Sequence, residues 1–416
     1  MSNSRDLNVS GSRAVIPLAV VSCDFRNAPA RHRELLVTDS ALRQLLFQSL
    51  QRMDGSAGFM VIETCNRVEW IVSGDSPAWL AELLKAQMLS RWCTELADEP
   101  IVPDVNLFAG QAAATHLFRV VAGMESLATG EAEIAGQFQR ALQTAINEET
   151  SSRILNGLGR FAAGMARTAT RIGFRAGRTR GVHVLAGHFL SEKIPEFGPG
   201  MTVGVAGMGE IGRKTADFLE QSQDLKVLRF NRTVPPENSS GWLPLDQLSA
   251  ALPDLSALVI ATGARTPVFG SAMRPDDDGT PFPLLLDLGI PRQVDLTAPG
   301  ITSGGYYSVD DLQEVAREES DVALRRQLDT YIEEQVRRFR RYCLEREWVV
   351  LLNRTQTRRF EMLGETLEAF IAERFGDSDS ALQARLAAAM RELVRGYSGD
   401  VFDAVHAALE EYWRSE

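Results

Sequence analysis

The chain has 416 residues, 44% of them hydrophobic, and a formal net charge of −11 at pH 7. This length exceeds one ordinary hydrophobic core and predicts two or three domains. No apolar run approaches the roughly 18 to 20 residues that a membrane-spanning helix needs, and the polar N-terminus does not look like an export signal. The negative charge disfavours nonspecific nucleic-acid binding over the whole surface, so any RNA contact must be local.

Four cysteines are scattered along the chain without a C-x-x-C pair: Cys23, Cys65, Cys93 and Cys343. This spacing argues against a disulfide framework and against a zinc site, and no metal ligand set is expected. A reducing cytoplasmic location fits this use of cysteine.

The first 150 residues alternate between strand-like and helix-like patterns and predict a compact α/β unit. Strands are expected at 15–23, 58–62 and 68–72, and helices at 41–51 and 79–92.

Residues 151–180 carry seven arginines and no acidic residue. On one helix, six of them would form a single basic stripe. Two interpretations stay open, a solvated or interdomain helix face and a phosphate-binding surface. The six are Arg153, Arg160, Arg167, Arg171, Arg175 and Arg178.

A second α/β pattern runs from about 201 to 307. Its near-continuous apolar strands predict a parallel sheet covered on both faces. They are expected at 202–206, 226–230, 257–261 and 284–288.

A glycine-rich G-x-G-x-x-G turn follows the first of these strands and opens a helix that ends near residue 221. Its glycines allow a tight turn and close approach to a pyrophosphate, while the helix N-terminus offers free N–H donors. A glycine turn without a ligand is the alternative. The predicted cofactor-binding residues here are Gly207, Gly209, Glu210, Ile211 and Gly212.

The next strand ends at Asn231, Arg232 and Thr233, where an NAD enzyme would usually carry an acidic residue for the ribose 2′-hydroxyl. An arginine there suits a 2′-phosphate, because its guanidinium fork makes charge-assisted hydrogen bonds. NADP is therefore predicted over NAD.

After residue 307 the pattern is helical, with no proline beyond Pro299. Ser308 and Asp311 predict a capping box at the start of a long helix, with Asp310 and Asp311 at the positive end of its dipole. Amphipathic runs at 381–395 and 401–413 predict a helical dimerisation or packing domain, with an intramolecular bundle as the alternative.

The segment Thr64-Cys65-Asn66-Arg67 places a cysteine in a polar turn between two predicted strands. A neighbouring cation such as Arg67 would favour the nucleophilic thiolate. From the residues alone, a catalytic and a structural thiol both remain open.

Two segments resemble signatures of the glutamyl-tRNA reductase family. One is the Cys65 turn with Glu69, and the other runs from His116 to Leu127 and on to Gly130 and Glu131. Further similarity lies at 207–212, 231–233, 287–292 and 309–312. The resemblance covers roughly residues 15–345.

The resemblance implies an α/β fold with an N-terminal catalytic domain at 1–155. A Rossmann-type NADPH-binding domain with its leading helix would occupy 156–306. A long spinal helix and a C-terminal helical dimerisation domain would occupy 307–416 and build a V-shaped homodimer.

The same resemblance implies that Cys65 attacks the ester of glutamyl-tRNA and that NADPH reduces the thioester to glutamate-1-semialdehyde, the first step of tetrapyrrole (porphyrin) synthesis. His116 would transfer a proton or orient the substrate. An aminomutase could receive the semialdehyde, and no membrane is involved. The implied substrate-binding residues are Thr64, Asn66, Arg67, Ser126 and Glu131.

The chain departs from the family near the expected substrate. Glu63 stands where the family has a small serine, and Val68, Ala132 and Glu133 also differ. A carboxylate beside Cys65 would raise the pKa of the thiol and repel a substrate carboxylate, unless Glu63 points away.

Three alternatives therefore remain. A divergent paralogue would act on another aminoacyl-tRNA or thioester. A non-catalytic relative would only hold tRNA or a partner. A dehydrogenase of the shikimate type shares the nucleotide-domain pattern but gives the Cys65 turn no role.

Overall fold

The computed structural model describes residues 16–96, 104–174, 181–234, 241–270, 282–297, 305–316 and 322–346. The chain divides into two compact units, Met1–Arg340 and Arg341–Glu416. Arg175, Arg178 and the predicted helices at 381–395 and 401–413 lie outside the described residues. Within the described part, no helix is both long enough and apolar enough to cross a membrane.

The N-terminal sheet is antiparallel, with the strand order β2-β3-β1-β4. Helix α3 packs against one side of it, and helices α4 and α5 also contact its strands. The three predicted strands and two predicted helices are confirmed, whereas the short β4 and α1 had no pattern strong enough to predict them. The elements are β1 (Leu18–Asp24), α1 (Ala30–Glu34), α2 (Ser40–Met53), β2 (Gly58–Glu63), β3 (Arg67–Ser73), α3 (Pro77–Glu95) and β4 (Asn106–Ala109).

Three helices complete this region: α4 (Gln111–Val121), α5 (Glu133–Asn147) and α6 (Arg153–Arg171). Ser152 caps α6 by accepting a hydrogen bond from the backbone N–H of Leu155 at 3.2 Å. A Cβ at Gly159 would collide with the side chain of Leu142, so α6 approaches α5 closely. Four of the six predicted stripe arginines lie on α6, which ends at Arg171.

The second sheet is entirely parallel, with the order β10-β9-β8-β5-β6-β7. Its four central strands confirm the predicted apolar runs. The outer strands β7 and β10 were not predicted, because three half-buried residues leave no periodic signal. The elements are α7 (Val182–Lys193), β5 (Thr202–Ala206), α8 (Glu210–Gln223), β6 (Lys226–Asn231), β7 (Trp242–Pro244), α9 (Leu248–Ala251), β8 (Ala257–Ile260), β9 (Leu284–Asp287) and β10 (Tyr306–Ser308).

The capping box at Ser308 and Asp311 is confirmed, but the long helix that it was expected to open does not begin there. It caps a 3-10 turn, Val309–Glu314, and the described helix α10 lies at 322–346. Asp310 and Asp311 lie in the first turn of this 3-10 helix, as predicted. The Asp310 carboxylate accepts hydrogen bonds from Ala30 and Arg33 of the N-terminal region.

Candidate active site around Cys65

Cys65 lies at the tip of the tight turn that joins β2 to β3. The strands pair up to Glu63 and Val68, and the backbone N–H of Thr64 then donates to the carbonyl of Arg67 at 2.9 Å. The Thr64 hydroxyl accepts hydrogen bonds from the backbone N–H groups of Asn66 at 3.2 Å and Arg67 at 3.1 Å. The threonine thereby replaces missing ladder partners and fixes the turn that presents the thiol.

The half-buried Cys65 packs against the hydrophobic cluster of the second sheet, whose members include Leu127, Met208 and Leu288. The thiol therefore lies at the boundary between the N-terminal region and the glycine-rich turn region. A purely structural cysteine would be expected inside one core, as the fully buried Cys23 is.

A buried arginine from α1 holds the Cys65 turn in place. The side chain of Arg33 is fully buried, and its Nη2 donates to the Cys65 carbonyl at 2.8 Å and to Asp310 Oδ1 at 2.7 Å. Its Nη1 donates to the carbonyl of Ala28 at 2.6 Å, and Asp310 Oδ2 accepts from the backbone N–H of Ala30 at 2.5 Å. One ion pair thus connects the turn, α1 and the segment after β10.

The Cys65 thiol is not poised as a free thiolate. Burial raises the pKa of Cys65 to about 12, the negative charge of Glu131 raises it further, and the positive charge of Arg33 opposes both. The expectation that Arg67 supplies the stabilising cation is therefore wrong. That arginine lies on β3 and points into another network.

Arg67, Glu69 and His116 form this buried network. Arg67 is 1% exposed, and its guanidinium donates to Glu69 Oε1 at 2.8 Å and to the carbonyl of Glu125. His116 Nε2 lies 3.1 Å from both carboxylate oxygens of Glu69, and the imidazole stacks on Phe108 at 4.2 Å between centroids. A substrate carboxylate would reach Arg67 only by displacing one of these acceptors.

Glu69 itself has no exposed surface. Burial works to raise its pKa, but the charges and hydrogen bonds of His116 and Arg67 hold that pKa below its ordinary value. The ionised carboxylate therefore fixes the orientation of both partners.

Glu131 is the carboxyl whose charge raises the pKa of Cys65 most strongly. Its side chain is buried, and burial together with the charge of Glu133 raises the pKa of Glu131 to about 7. Ser126 and Asn66 are also buried, and among the residues that the structure describes no donor reaches the Asn66 Oδ1. The surroundings of Cys65 therefore offer hydrogen-bond acceptors that a bound substrate could satisfy.

Glu63 points away from the thiol. Its Oε1 accepts hydrogen bonds from the backbone N–H of Thr38 at 2.7 Å and from the Thr38 hydroxyl at 2.6 Å. It lines a separate cavity of about 320 Å³ together with Arg43 and Arg140. The leading charges that act on the pKa of Cys65 belong to Glu131, Arg33 and Asp310. The Glu63 carboxylate is therefore not placed to repel a substrate carboxylate at Cys65.

The glycine-rich turn has the shape that a pyrophosphate requires. Gly207 adopts a φ of +95°, and a Cβ there would lie 2.6 Å from the carbonyl oxygen of Ala261. A Cβ at Gly212 would overlap the carbonyl oxygen of Gly207, so α8 approaches the turn closely. Gly209 faces open space at the start of α8, and no side chain caps the helix there. Free backbone N–H groups at this end suit an anionic cofactor.

The first turn of α8 also carries Glu210, which pairs with Lys214 at 3.2 Å. Ile211 is half-buried beside it. This ion pair offsets the negative charge of Glu210 next to the expected anion site.

The residues predicted for the 2′-phosphate follow the end of β6. Because β5 and β6 are parallel and pair Ala206 with Phe230, the glycine turn and Arg232 leave the same edge of the sheet. Arg232 is exposed, and Asn231 Nδ2 donates to the carbonyl of Thr233 at 2.9 Å, which orders the loop. The residues present therefore fit a phosphorylated dinucleotide.

Comparisons with known proteins agree with this two-part site. The family model for the N-terminal domain of glutamyl-tRNAGlu reductase matches residues 21–171, and the shikimate/quinate 5-dehydrogenase model matches 191–315. The glutamyl-tRNA reductase of Halalkalibacterium halodurans is 27% identical over 85% of this chain and 78% of its own. That of Bacillus cereus strain 03BB102 is 26% identical over 85% of this chain and 81% of its own.

The chain is similar to glutamyl-tRNA reductases along most of its length. The solved glutamyl-tRNA reductase from Methanopyrus kandleri covers 95% of this chain and 98% of its own, at 21% identity and a TM-score of 0.45. The similarity to glutamyl-tRNA reductases rests on the sequence matches.

Sequence patterns missed two residues that the structure places at the Cys65 turn. Arg33 and Asp310 come from segments 277 positions apart, and neither carries a local signal that would connect it to the thiol. Glu69 and His116 both belonged to the recognised signatures, but their pairing became evident only in the fold.

We expect Glu63→Gln to weaken its hydrogen bonds with Thr38 and lower the free energy of unfolding by about 1 kcal/mol. It should leave the rate of Cys65 alkylation by iodoacetamide unchanged, because Glu63 does not act on that thiol. Glu131→Gln is the matched control and should change the alkylation rate, since the charge of Glu131 acts on the pKa of Cys65. Peptide mass spectrometry separates Cys65 from the exposed Cys93. Faster alkylation in Glu63→Gln would contradict the placement.

Proposed function

We propose that the protein reduces glutamyl-tRNA to glutamate-1-semialdehyde with NADPH, the first step of tetrapyrrole synthesis. The observation that carries the proposal is the position of Cys65, on a turn within the region that matches the reductase N-terminal model and packed against the nucleotide-type sheet. A shikimate-type dehydrogenase alone does not account for residues 21–171 or for this thiol.

Cys65 Sγ attacks the carbonyl carbon of the aminoacyl ester. The bond between that carbon and the ribose oxygen breaks, the tRNA leaves with a proton, and a thioester remains on Cys65. When bound, NADPH supplies the hydride that converts the acyl carbon to an aldehyde. The C–S bond breaks as the aldehyde is released, and the Cys65 thiolate takes up a proton.

Glu131 has the properties of the group that accepts the thiol proton. A thiol with a pKa near 12 needs a base in order to attack at neutral pH, and a carboxyl with a pKa near 7 exchanges protons efficiently there. The charge of Glu131 raises the pKa of Cys65 more than the charge of Asp310 does. A base for the attacking sulfur lies next to the substrate ester, so this role agrees with the predicted contact between Glu131 and the substrate.

His116 is held by Glu69 with its ring against Phe108, which suits it to orient the ester or to transfer a proton to the leaving oxygen. Thr64, Asn66 and Ser126 supply polar groups next to the thiol. Arg67 positions Glu69 and the turn at Glu125, and its charge favours a substrate carboxylate nearby.

The NADPH site consists of the turn from Gly207 to Gly212 with Asn231, Arg232 and Thr233 at the adjacent strand end. Arg232 distinguishes the cofactor, because its guanidinium can pair with a 2′-phosphate. Helix α8 contributes its free N–H groups to the pyrophosphate.

The proposal also includes a cytoplasmic homodimer with domains at 1–155, 156–306 and 307–416. The amphipathic pattern of the C-terminal segment supports the dimer. Transfer of the reactive aldehyde to an aminomutase is part of the same proposal, since a reactive product is best passed on directly.

Trapping the acylated protein tests this function. Incubation with labelled glutamyl-tRNA but without NADPH should yield a hydroxylamine-sensitive adduct on Cys65, and adding NADPH should release the label as an aldehyde. Cys65→Ser should give neither. A panel of other aminoacyl-tRNAs serves as the control. An adduct formed only with a different aminoacyl group would replace this proposal with the divergent paralogue, and the absence of any adduct would leave a binding protein.

The pH dependence of kcat/KM tests Glu131. Because the ionised carboxylate is the active form, kcat/KM should be low at acidic pH and rise as the pH increases through about 7. Glu131→Gln should lower kcat/KM and remove this limb of the profile. If the variant keeps the limb near neutral pH, another group accepts the proton.

A further inference from the structure

Helix α6 presents a continuous basic surface that the proposed chemistry does not use. Arg153, Arg160, Arg167 and Arg171 are all exposed, and we call them the arginine face. The first and the last of these arginines are 18 positions apart, which corresponds to about 27 Å along the helix. No acidic residue occurs in α6. The rest of the protein is strongly acidic, with a net charge of −11, so this concentration of positive charge stands out.

The fold fixes the direction of this face. The opposite side of α6 buries Leu155, Leu158, Ala162 and Met165, and close packing at Gly159 prevents the helix from rotating on α5. The arginines therefore project outward as a consequence of core packing. Four arginines at this spacing concentrate positive potential along one side of the helix.

We propose that the arginine face binds the phosphate backbone of the tRNA, an inference that rests on the proposed function. An RNA strand presents regularly spaced negative charges, and a row of arginines of this length spans several of them. Guanidinium groups also make forked hydrogen bonds to phosphate oxygens.

The position of α6 relative to the active site favours RNA over another polyanion. Helix α6 contacts β2, the strand that runs directly into the turn carrying Cys65. A tRNA bound along the face is therefore held by the same domain that must receive its aminoacyl end. Binding energy from this remote part of the substrate would bring the ester to the thiol.

The test uses the full-length protein with Arg160→Gln and Arg167→Gln combined. We expect KM for glutamyl-tRNA to rise about tenfold with kcat nearly unchanged, and the slope of log affinity against log salt to fall by about two. Arg160→Lys with Arg167→Lys should restore most of the salt slope, because it keeps both charges. Arg52→Gln, at an exposed position on α2, should leave both quantities unchanged.

A small glutamyl thioester without RNA separates this inference from the proposed function. The double glutamine variant should reduce it at the wild-type rate, since the thiol and the cofactor site are intact. If the variant binds glutamyl-tRNA with wild-type affinity and salt slope, the arginine face has no role in RNA binding even though the reductase activity stands. If it instead loses affinity for anionic lipid vesicles and not for tRNA, the surface belongs to a membrane contact and the inference is wrong.

Discussion

The ion pair between the buried Arg33 and Asp310 determines where the Cys65 thiol lies. Removing a guanidinium from water costs several kcal/mol unless it is paired and hydrogen-bonded, and Arg33 meets that demand by binding Asp310 and the carbonyls of Ala28 and Cys65. Separating the two sheets at this point would leave a buried charge without its partner. The packing of Cys65 against the nucleotide-type sheet therefore follows from electrostatics as much as from hydrophobic contact.

The same arrangement controls the protonation of the Cys65 thiol. Burial and the carboxylates of Glu131 and Asp310 disfavour the thiolate, while Arg33 favours it. In the proposed mechanism, the thiol stays protonated until a base removes its proton with the ester in place. The acyl group would then form beside the turn proposed to bind the cofactor, where the hydrophobic contacts of Cys65 would limit the water that hydrolyses a thioester.

Local patterns in the sequence predicted both sheets, the Cys65 turn and the glycine turn, because each depends on periodicity or on backbone demands within a few residues. Hydrogen bonds between residues far apart in the sequence, such as Arg33 and Asp310, could not be predicted from such patterns. The cation that acts on Cys65 was assigned to its neighbour Arg67, yet alternation along β3 directs that side chain toward Glu69 instead. The capping box at Ser308 was recognised, but the sequence did not show that it opens only a 3-10 turn, or that Asp310 pairs with a distant segment.

Single-turnover kinetics with Asp310→Asn test the account most directly. If the ion pair places acylated Cys65 against the nicotinamide, the variant should acylate at close to the wild-type rate, while transfer of hydride from NADPH slows by tenfold or more, roughly the loss expected from a small misplacement of reacting groups. Gln313→Ala, which removes an exposed contact to the carbonyl of Phe25 between the same segments, should change neither step. Unimpaired hydride transfer in Asp310→Asn would contradict the account, as would an equal loss in both steps.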